Sequence, residues 1–251
     1  MILRNFFITA FIITFTVSCG QPDQEWNSYG LDLSNQRFSK ITQINKTNVE
    51  TLEMAWQVQT GVPATFQSTP IVHEGVMFVS LPFNNVLALD AKTGSEIWRY
   101  EHDLNPNWKL CCGPSNRGVA LQGKQLFFGT VDARLISLNI KTGEKIWDIN
   151  VVKNNVETES ISDLDESDAN SDKQISGGTG VGISMAPVVY NGKVIIGITG
   201  VGYGLHVEEE GANTPLGAVV GVSGKYGRSG FLAAYDIHSG QQIWQFNTIL
   251  E

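Results

Sequence analysis

Along this chain, short apolar runs alternate with Gly, Asn and Asp, a pattern that favours β-strands joined by tight turns over amphipathic helices. Three stretches read as hairpins: Pro70-Ile-Val-His-Glu-Gly-Val-Met-Phe-Val, Gly118-Val-Ala-Leu-Gln-Gly-Lys-Gln-Leu-Phe-Phe-Gly and Ala186-Pro-Val-Val-Tyr-Asn-Gly-Lys-Val-Ile-Ile-Gly. Each is followed by a second unit: Ala88-Leu-Asp-Ala-Lys-Thr-Gly-Ser-Glu-Ile-Trp98, Ser137-Leu-Asn-Ile-Lys-Thr-Gly-Glu-Lys-Ile-Trp147 and Ala234-Tyr-Asp-Ile-His-Ser-Gly-Gln-Gln-Ile-Trp244. In the Asp/Asn-x-x-Thr/Ser-Gly turn, the Asp or Asn side chain bonds the turn backbone and the Gly supplies the positive φ.

Two hairpins make one four-stranded blade. Trp98 and Trp147 lie 49 positions apart, within the roughly 40 to 50 residues of propeller repeats. The sequence therefore predicts an all-β fold, a β-propeller of four-stranded antiparallel blades with about three blades present. Three blades do not close a ring, since propellers use about four to eight; a truncated chain is the expectation. Trp147 and Trp244 lie 97 positions apart with one hairpin between them, which leaves inserted loops near 153–178 and 206–228. The first carries seven acidic residues between Glu157 and Asp172 and is expected to be a mobile loop, with Ca²⁺ binding the weaker reading of that run. The second is Gly-rich with Tyr226 and Arg228 near its end, and either caps a surface or edges a site. Ahead of the blades, Thr47-Asn-Val-Glu50 reads as a capping box opening a short helix. Met54-Ala-Trp-Gln-Val then reads as a strand that would complete the last blade of a closed ring.

The N-terminus adds an address. Residues 1–18 set Arg4 ahead of an apolar run, Phe6 to Val17, that is short for a bilayer span and suits a secretory signal. Val17-Ser-Cys19-Gly resembles a lipoprotein signal, with Thr16 where Leu is preferred; cleavage near Ser18 without lipidation is the alternative. A lipid on Cys19 would make residues 19–25 a tether. An exported protein is thus expected, periplasmic and anchored by lipid, with 26–251 as the partial propeller. The net charge of -8, without a long Lys/Arg run, excludes nucleic acid as a partner.

Candidate chemistry centres on Cys111 and Cys112, adjacent in an exported chain, which an oxidising compartment would bridge. Consecutive Cα atoms lie about 3.8 Å apart, below the roughly 4.4 to 6.8 Å usual for disulfides, so the bridge is strained and suits a local chemical role. Two unbridged thiols are the alternative reading.

Together, Cys111-Cys-Gly-Pro-Ser-Asn-Arg-Gly118, the opening Trp26-x-x-Tyr-Gly-x-Asp with its later Asn-x-Arg-Phe-Ser, and the three Trp-ending repeats resemble the pyrroloquinoline-quinone-dependent alcohol dehydrogenases. The resemblance implies an eight-bladed propeller with the quinone near its axis, over a vicinal Cys111–Cys112 disulfide. It implies that Arg117 reaches the ortho-quinone oxygens, that Thr130 bonds a cofactor carboxylate, and that Thr199 and Gly200 cradle another. Two positions depart from the family pattern: Gly202 stands where a metal-ligating Glu is usual, and Gln67 where a cofactor-bonding Glu is usual. The implied cofactors are pyrroloquinoline quinone and Ca²⁺ or a lanthanide. The metal would lack one carboxylate unless Glu208 to Glu210 replace it. The implied substrate is a small alcohol and the acceptor cytochrome c or a quinone, with the catalytic base beyond residue 251. The rival expectation is a non-catalytic propeller lipoprotein acting as an assembly scaffold.

Overall fold

The structure, a computed structural model, describes residues 25–104, 114, 116–152, 159–160, 174–208 and 230–249, with backbone alone at 159–160, 174–181 and 199–208. Two antiparallel sheets follow the chain strand by strand: β1 (Ile71–His73), β2 (Val76–Ser80), β3 (Val86–Asp90) and β4 (Glu96–Tyr100), then β5 (Ala120–Gln122), β6 (Gln125–Gly129), β7 (Arg134–Asn139) and β8 (Lys145–Asn150). The third blade comprises β11 (Val188–Tyr190), β12 (Lys193–Glu208), β13 (Phe231–Asp236) and β14 (Gln242–Asn247). The expected architecture is present, with each sequence hairpin forming the first two strands of its blade.

The turns form as their residues dictate. Asp90 Oδ1 accepts the N–H groups of Lys92 and Thr93 and the Thr93 hydroxyl, and Asp236 does the same for His238 and Ser239. Gly94, Gly143 and Gly240 then take φ of +74°, +73° and +69°. Against each Gly lies the Trp of the preceding unit. Trp98 packs on Gly143 and its indole N–H donates to the Ile140 carbonyl (3.0 Å); Trp147 packs on Gly240 and donates to Ile237 (2.9 Å). Trp56 repeats the contact on Gly94, donating to Ala91 (3.2 Å). Residues 54–58 have no ladder partner among the described residues, yet Trp56 occupies the docking position of an outer strand.

Packing explains the apolar runs. Leu126, Phe128, Ile136 and Leu138 face the first blade, meeting Phe78, Val86, Ala88 and Trp98. Phe127 and Leu135 face the third, meeting Val194, Ile196, Phe231 and Ala233. A middle blade buried on both faces favours near-continuous apolar runs, and all five residues of β6 are buried, with Gln125 bonded to the Ser137 hydroxyl and the Ile237 carbonyl. The outer face of the first blade, Val79, Leu87 and Leu89, is covered by Trp56, Val58 and Val62.

Two expectations are corrected. Part of the expected loop 153–178 is in a ladder, since β10 (Gln174–Gly182) pairs with the far half of β12 and with β9 (Glu159–Ser160); His206 to Glu208, expected in the second loop, belong to β12. The arm is rich in glycine and its ladder is interrupted by register shifts between Gly177 and Gly182, which makes it read as loop in the sequence. The capping box does not form either. Asn45 Oδ1 accepts the Thr47 N–H and hydroxyl, an Asx turn that competes with the helix cap, and only a three-residue 3-10 turn, Val49–Thr51, follows. Residues 1–24, with Arg4 and Cys19, lie outside the described residues.

Strand direction sorts the connections. Tight turns (74–75, 91–95, 123–124, 140–144, 191–192 and 237–241) share one end of the blades, and every long connection leaves from the other. The first strands converge, with β5 touching β11, so they line the axis.

Candidate active site

The sequence-predicted site residues that the structure describes fall at the long-connection end. Gln67 precedes β1, Cys111, Cys112 and Arg117 lie between β4 and β5, Thr130 follows β6, and Thr199, Gly200 and Gly202 lie in the stretch of β12 that extends past its blade. The reason is topological: strand order in an antiparallel blade returns each second-to-third and fourth-to-first connection to the same end.

There the segments leading into the three inner strands are bonded in series. Thr69 N–H donates to the Arg117 carbonyl (3.1 Å) and Arg117 N–H to the Ser184 carbonyl (3.0 Å). Gly118 sits in the pinch with φ of +145°, where a Cβ would meet the Thr69 carbonyl at 3.3 Å and Ala186 at 3.4 Å. Buried Asn116 fixes this crossing: its Nδ2 donates to the Gly129 carbonyl (2.6 Å) and its Oδ1 accepts Gly118 N–H (2.8 Å). Ser80 and Ser68 hydroxyls bond each other at 3.0 Å beside it.

Arg117 is exposed on this face. Its Nη1 donates to the Ser184 hydroxyl (2.8 Å), and its other guanidinium nitrogens have no partner among the described residues. Beside it lies a largely apolar cavity of about 350 Å³ between Tyr29, Leu33, Ala120, Met185 and Val188, a volume within the roughly 300 to 1,000 Å³ of small-molecule sites. Arg37 stacks on the outer ring of that wall, 4.4 Å from the Tyr29 centroid.

The other predicted residues divide. Gln67 is exposed on the same face. Thr130 is fully buried; its hydroxyl donates to the Arg134 carbonyl (3.2 Å) and accepts Arg134 N–H (2.8 Å), which closes the β6–β7 turn. Thr199 pairs with Gly182 in the β10–β12 ladder, and Gly200 and Gly202 lie in the register shift between Thr199 and Tyr203. Cys111 and Cys112 lie outside the described residues.

Sequence reasoning passed over three contributors. Ser184 orients Arg117, Asn116 fixes the crossing, and His102 Nε2 lies 2.9 and 3.0 Å from the two carboxylate oxygens of Asp132, pinning the start of the connection that carries the cysteines. Burial alone raises the Asp132 carboxyl, but the His102 bond and charge and the Thr130 hydroxyl hold it below the ordinary value. Ser184 was findable: Gln67-Ser-Thr-Pro70 and Ile183-Ser-Met-Ala-Pro187 are equivalent lead-ins of different blades. The His102–Asp132 pair spans two blades and leaves no spacing to read.

Fold and site together define a β-propeller whose long-connection end presents an arginine on a pre-bonded platform of inner-strand lead-ins. A family model, "PQQ: Glucose/ethanol/alcohol dehydrogenase, beta-propeller domain", matches residues 26–251, and the chain belongs to that family. It is 32% identical over 231 residues to a quinohemoprotein alcohol dehydrogenase, ADH IIB, of Pseudomonas putida, covering 91% of this chain and 27% of that one. The solved quinohemoprotein alcohol dehydrogenase of Comamonas testosteroni superposes with a TM-score of 0.67 at 29% identity, over 90% of this chain and 27% of that one. A europium-containing methanol dehydrogenase gives 0.64 at 25% identity, over 89% and 32%. The chain thus spans about a quarter of the length of the curated relatives it matches.

Proposed function

We propose that this chain is the N-terminal part of a quinoprotein dehydrogenase that oxidises a small alcohol, exported to the periplasm and anchored there by a lipid on Cys19. The observation that carries the reading is Arg117, exposed and held by Ser184 on the platform face, five positions after the adjacent cysteines. Its relatives named as alcohol dehydrogenases support the same substrate class.

The residues fit a planar quinone on the Arg117 side. Arg117 would hold its ortho oxygens, Cys111 and Cys112 would pack on one ring face, and Thr199, Gly200 and Gln67 would contact its periphery. When bound, pyrroloquinoline quinone supplies a two-electron acceptor for hydride from a CH–OH carbon. The protein's part is to keep a fixed cation where negative charge develops, which costs no reorganisation because Ser184 and the Arg117 backbone are already bonded. The fit of Ca²⁺ or a lanthanide is weaker: the described residues hold no cluster of three or more His, Cys, Asp or Glu, and Gly202 offers no carboxylate. No step is assigned to a metal. Cytochrome c or a quinone would take the electrons onward.

The test uses the full-length protein loaded with pyrroloquinoline quinone and Ca²⁺ or a lanthanide. Alcohol-dependent dye reduction that requires the quinone is expected, and its absence would sink the enzyme reading in favour of a scaffold. Quinone titration followed by fluorescence adds a binding readout. Charged hydrogen bonds contribute about 1.5–3 kcal/mol, so Arg117→Ala should weaken binding by roughly 10- to 100-fold with an unchanged circular dichroism spectrum.

A further inference from the structure

We infer that the anchored protein sits with the tight-turn end of its propeller toward the membrane and its site end facing away, an orientation that rests on the lipid-anchor reading of Cys19.

The described chain begins at the tight-turn end. Glu74 N–H donates to Glu25 Oε1 (3.0 Å), and His73 Nδ1 lies 2.7 Å from Glu25 Oε2, so residue 25 is clamped to the β1–β2 turn. The Glu74 amide and His73 hold the Glu25 carboxyl below its ordinary value, so the clamp stays ionised at neutral pH. Trp26 then exchanges two backbone bonds with Val72, 3.1 and 2.7 Å, and the chain runs antiparallel to β1 toward the site end, where the Tyr29 ring reaches the Gly118 pinch. Whatever precedes Glu25 must therefore depart at the tight turns, close to the axis.

Reach turns this departure point into an orientation. Cys19 precedes Glu25 by six residues, which span at most about 20 Å fully extended. A five-residue strand such as β2 is itself about 17 Å long, so a tether doubling back to the site end would be spent before clearing the long connections there. Laying the molecule on its side requires crossing four strands at about 4.8 Å each, again the whole tether. Only the tight-turn end reaches lipid without strain.

Charge agrees with reach. Lys92, Lys124, Lys141, Lys145 and Lys193 lie at the tight-turn end among Glu25, Glu74, Asp90, Glu96, Glu144 and Asp236, which is near balance. Most of the net charge of -8 is therefore carried elsewhere than at that end. An anionic leaflet tolerates a near-neutral tight-turn end. Substrate and acceptor then meet the site from water, and a quinone dissolved in the bilayer is out of reach.

The full-length lipoprotein, reconstituted in phosphatidylethanolamine–phosphatidylglycerol vesicles with nitroxide headgroups, tests this. A short-range fluorophore is placed at Lys124→Cys, at a tight turn, or at Glu101→Cys, just past β4 at the site end. Labelling of the parent protein sets the background from its own cysteines. Headgroup quenching several-fold stronger at position 124 is expected. Equal quenching, or stronger quenching at 101, would overturn the orientation while leaving the anchor standing. Fatty-acid labelling and membrane recovery of the parent against Cys19→Ser test the anchor itself; a parent protein not recovered with membranes overturns both readings.

Discussion

At the residue scale, the platform depends on a few polar groups that leave water only because each finds a partner. Asn116 is 1% exposed with both its amide nitrogen and its oxygen bonded, and the exposed Arg117 beside it is oriented by a single hydroxyl. Asp132 shows how such a group responds to pH. Its folded pKa lies below the ordinary carboxyl value, so the stability it contributes is fully present above about pH 4 and is lost as pH falls through the folded value. Asp132→Asn in the full-length protein should lower stability at pH 7 by about 1–3 kcal/mol and flatten the acid limb of a urea-midpoint profile. An acid limb as steep as that of the parent would show that the His102 pair does not set it. Of these groups, Arg117 was singled out in the sequence by the resemblance of its segment to the quinoprotein family; Asn116 and Ser184 look ordinary until the lead-ins are brought side by side.

At the element scale, the blade is a repeated local solution: an Asp or Asn that bonds its own turn, a Gly at positive φ, and a Trp of the preceding unit that needs that Gly bare. Gly143 and Gly123 separate the two demands placed on such a glycine. Both have positive φ, +73° and +59°, but a Cβ at Gly143 would lie 2.6 Å from the Trp98 ring, whereas nothing lies within 4 Å of one at Gly123. Alanine at either should cost about 1–2 kcal/mol for the left-handed backbone. At Gly143 overpacking adds about 1–3 kcal/mol more, read as a difference in denaturation midpoint between the two variants. Equal losses would mean that the Trp contact carries no stability. The repeat was plain in the sequence because the turn chemistry is local. Trp56 was harder to place, since its segment carries no Asp-x-x-Thr-Gly turn and forms no ladder among the described residues, and only docking on Gly94 reveals its role. The β10–β12 arm was harder to read because its strands are rich in glycine, a residue that ordinarily marks turns, and because its ladder is broken by register shifts.

At the scale of the whole molecule, the blades are mortared by apolar faces that alternate along the strands, and among the described residues one such face is left uncovered. Trp98 is 8% exposed, but Trp244, its equivalent on β14, is 39% exposed and Phe246 on the same side 62%, with no docking glycine against them among the described residues. Such a patch drives association. The 251-residue chain should self-associate at micromolar concentration in sedimentation runs, and Trp244→Lys with Phe246→Lys should shift it toward monomer; a parent chain that stays monomeric would contradict this. Sequence by itself determined the blade, the period and the turn chemistry, because each depends on residues near one another along the chain. Tertiary structure alone decided which ends of the strands meet, that Ser184 of one blade holds Arg117 of another, and where the N-terminal segment departs. Those depend on distances between residues some 50 to 70 positions apart, which no local pattern encodes.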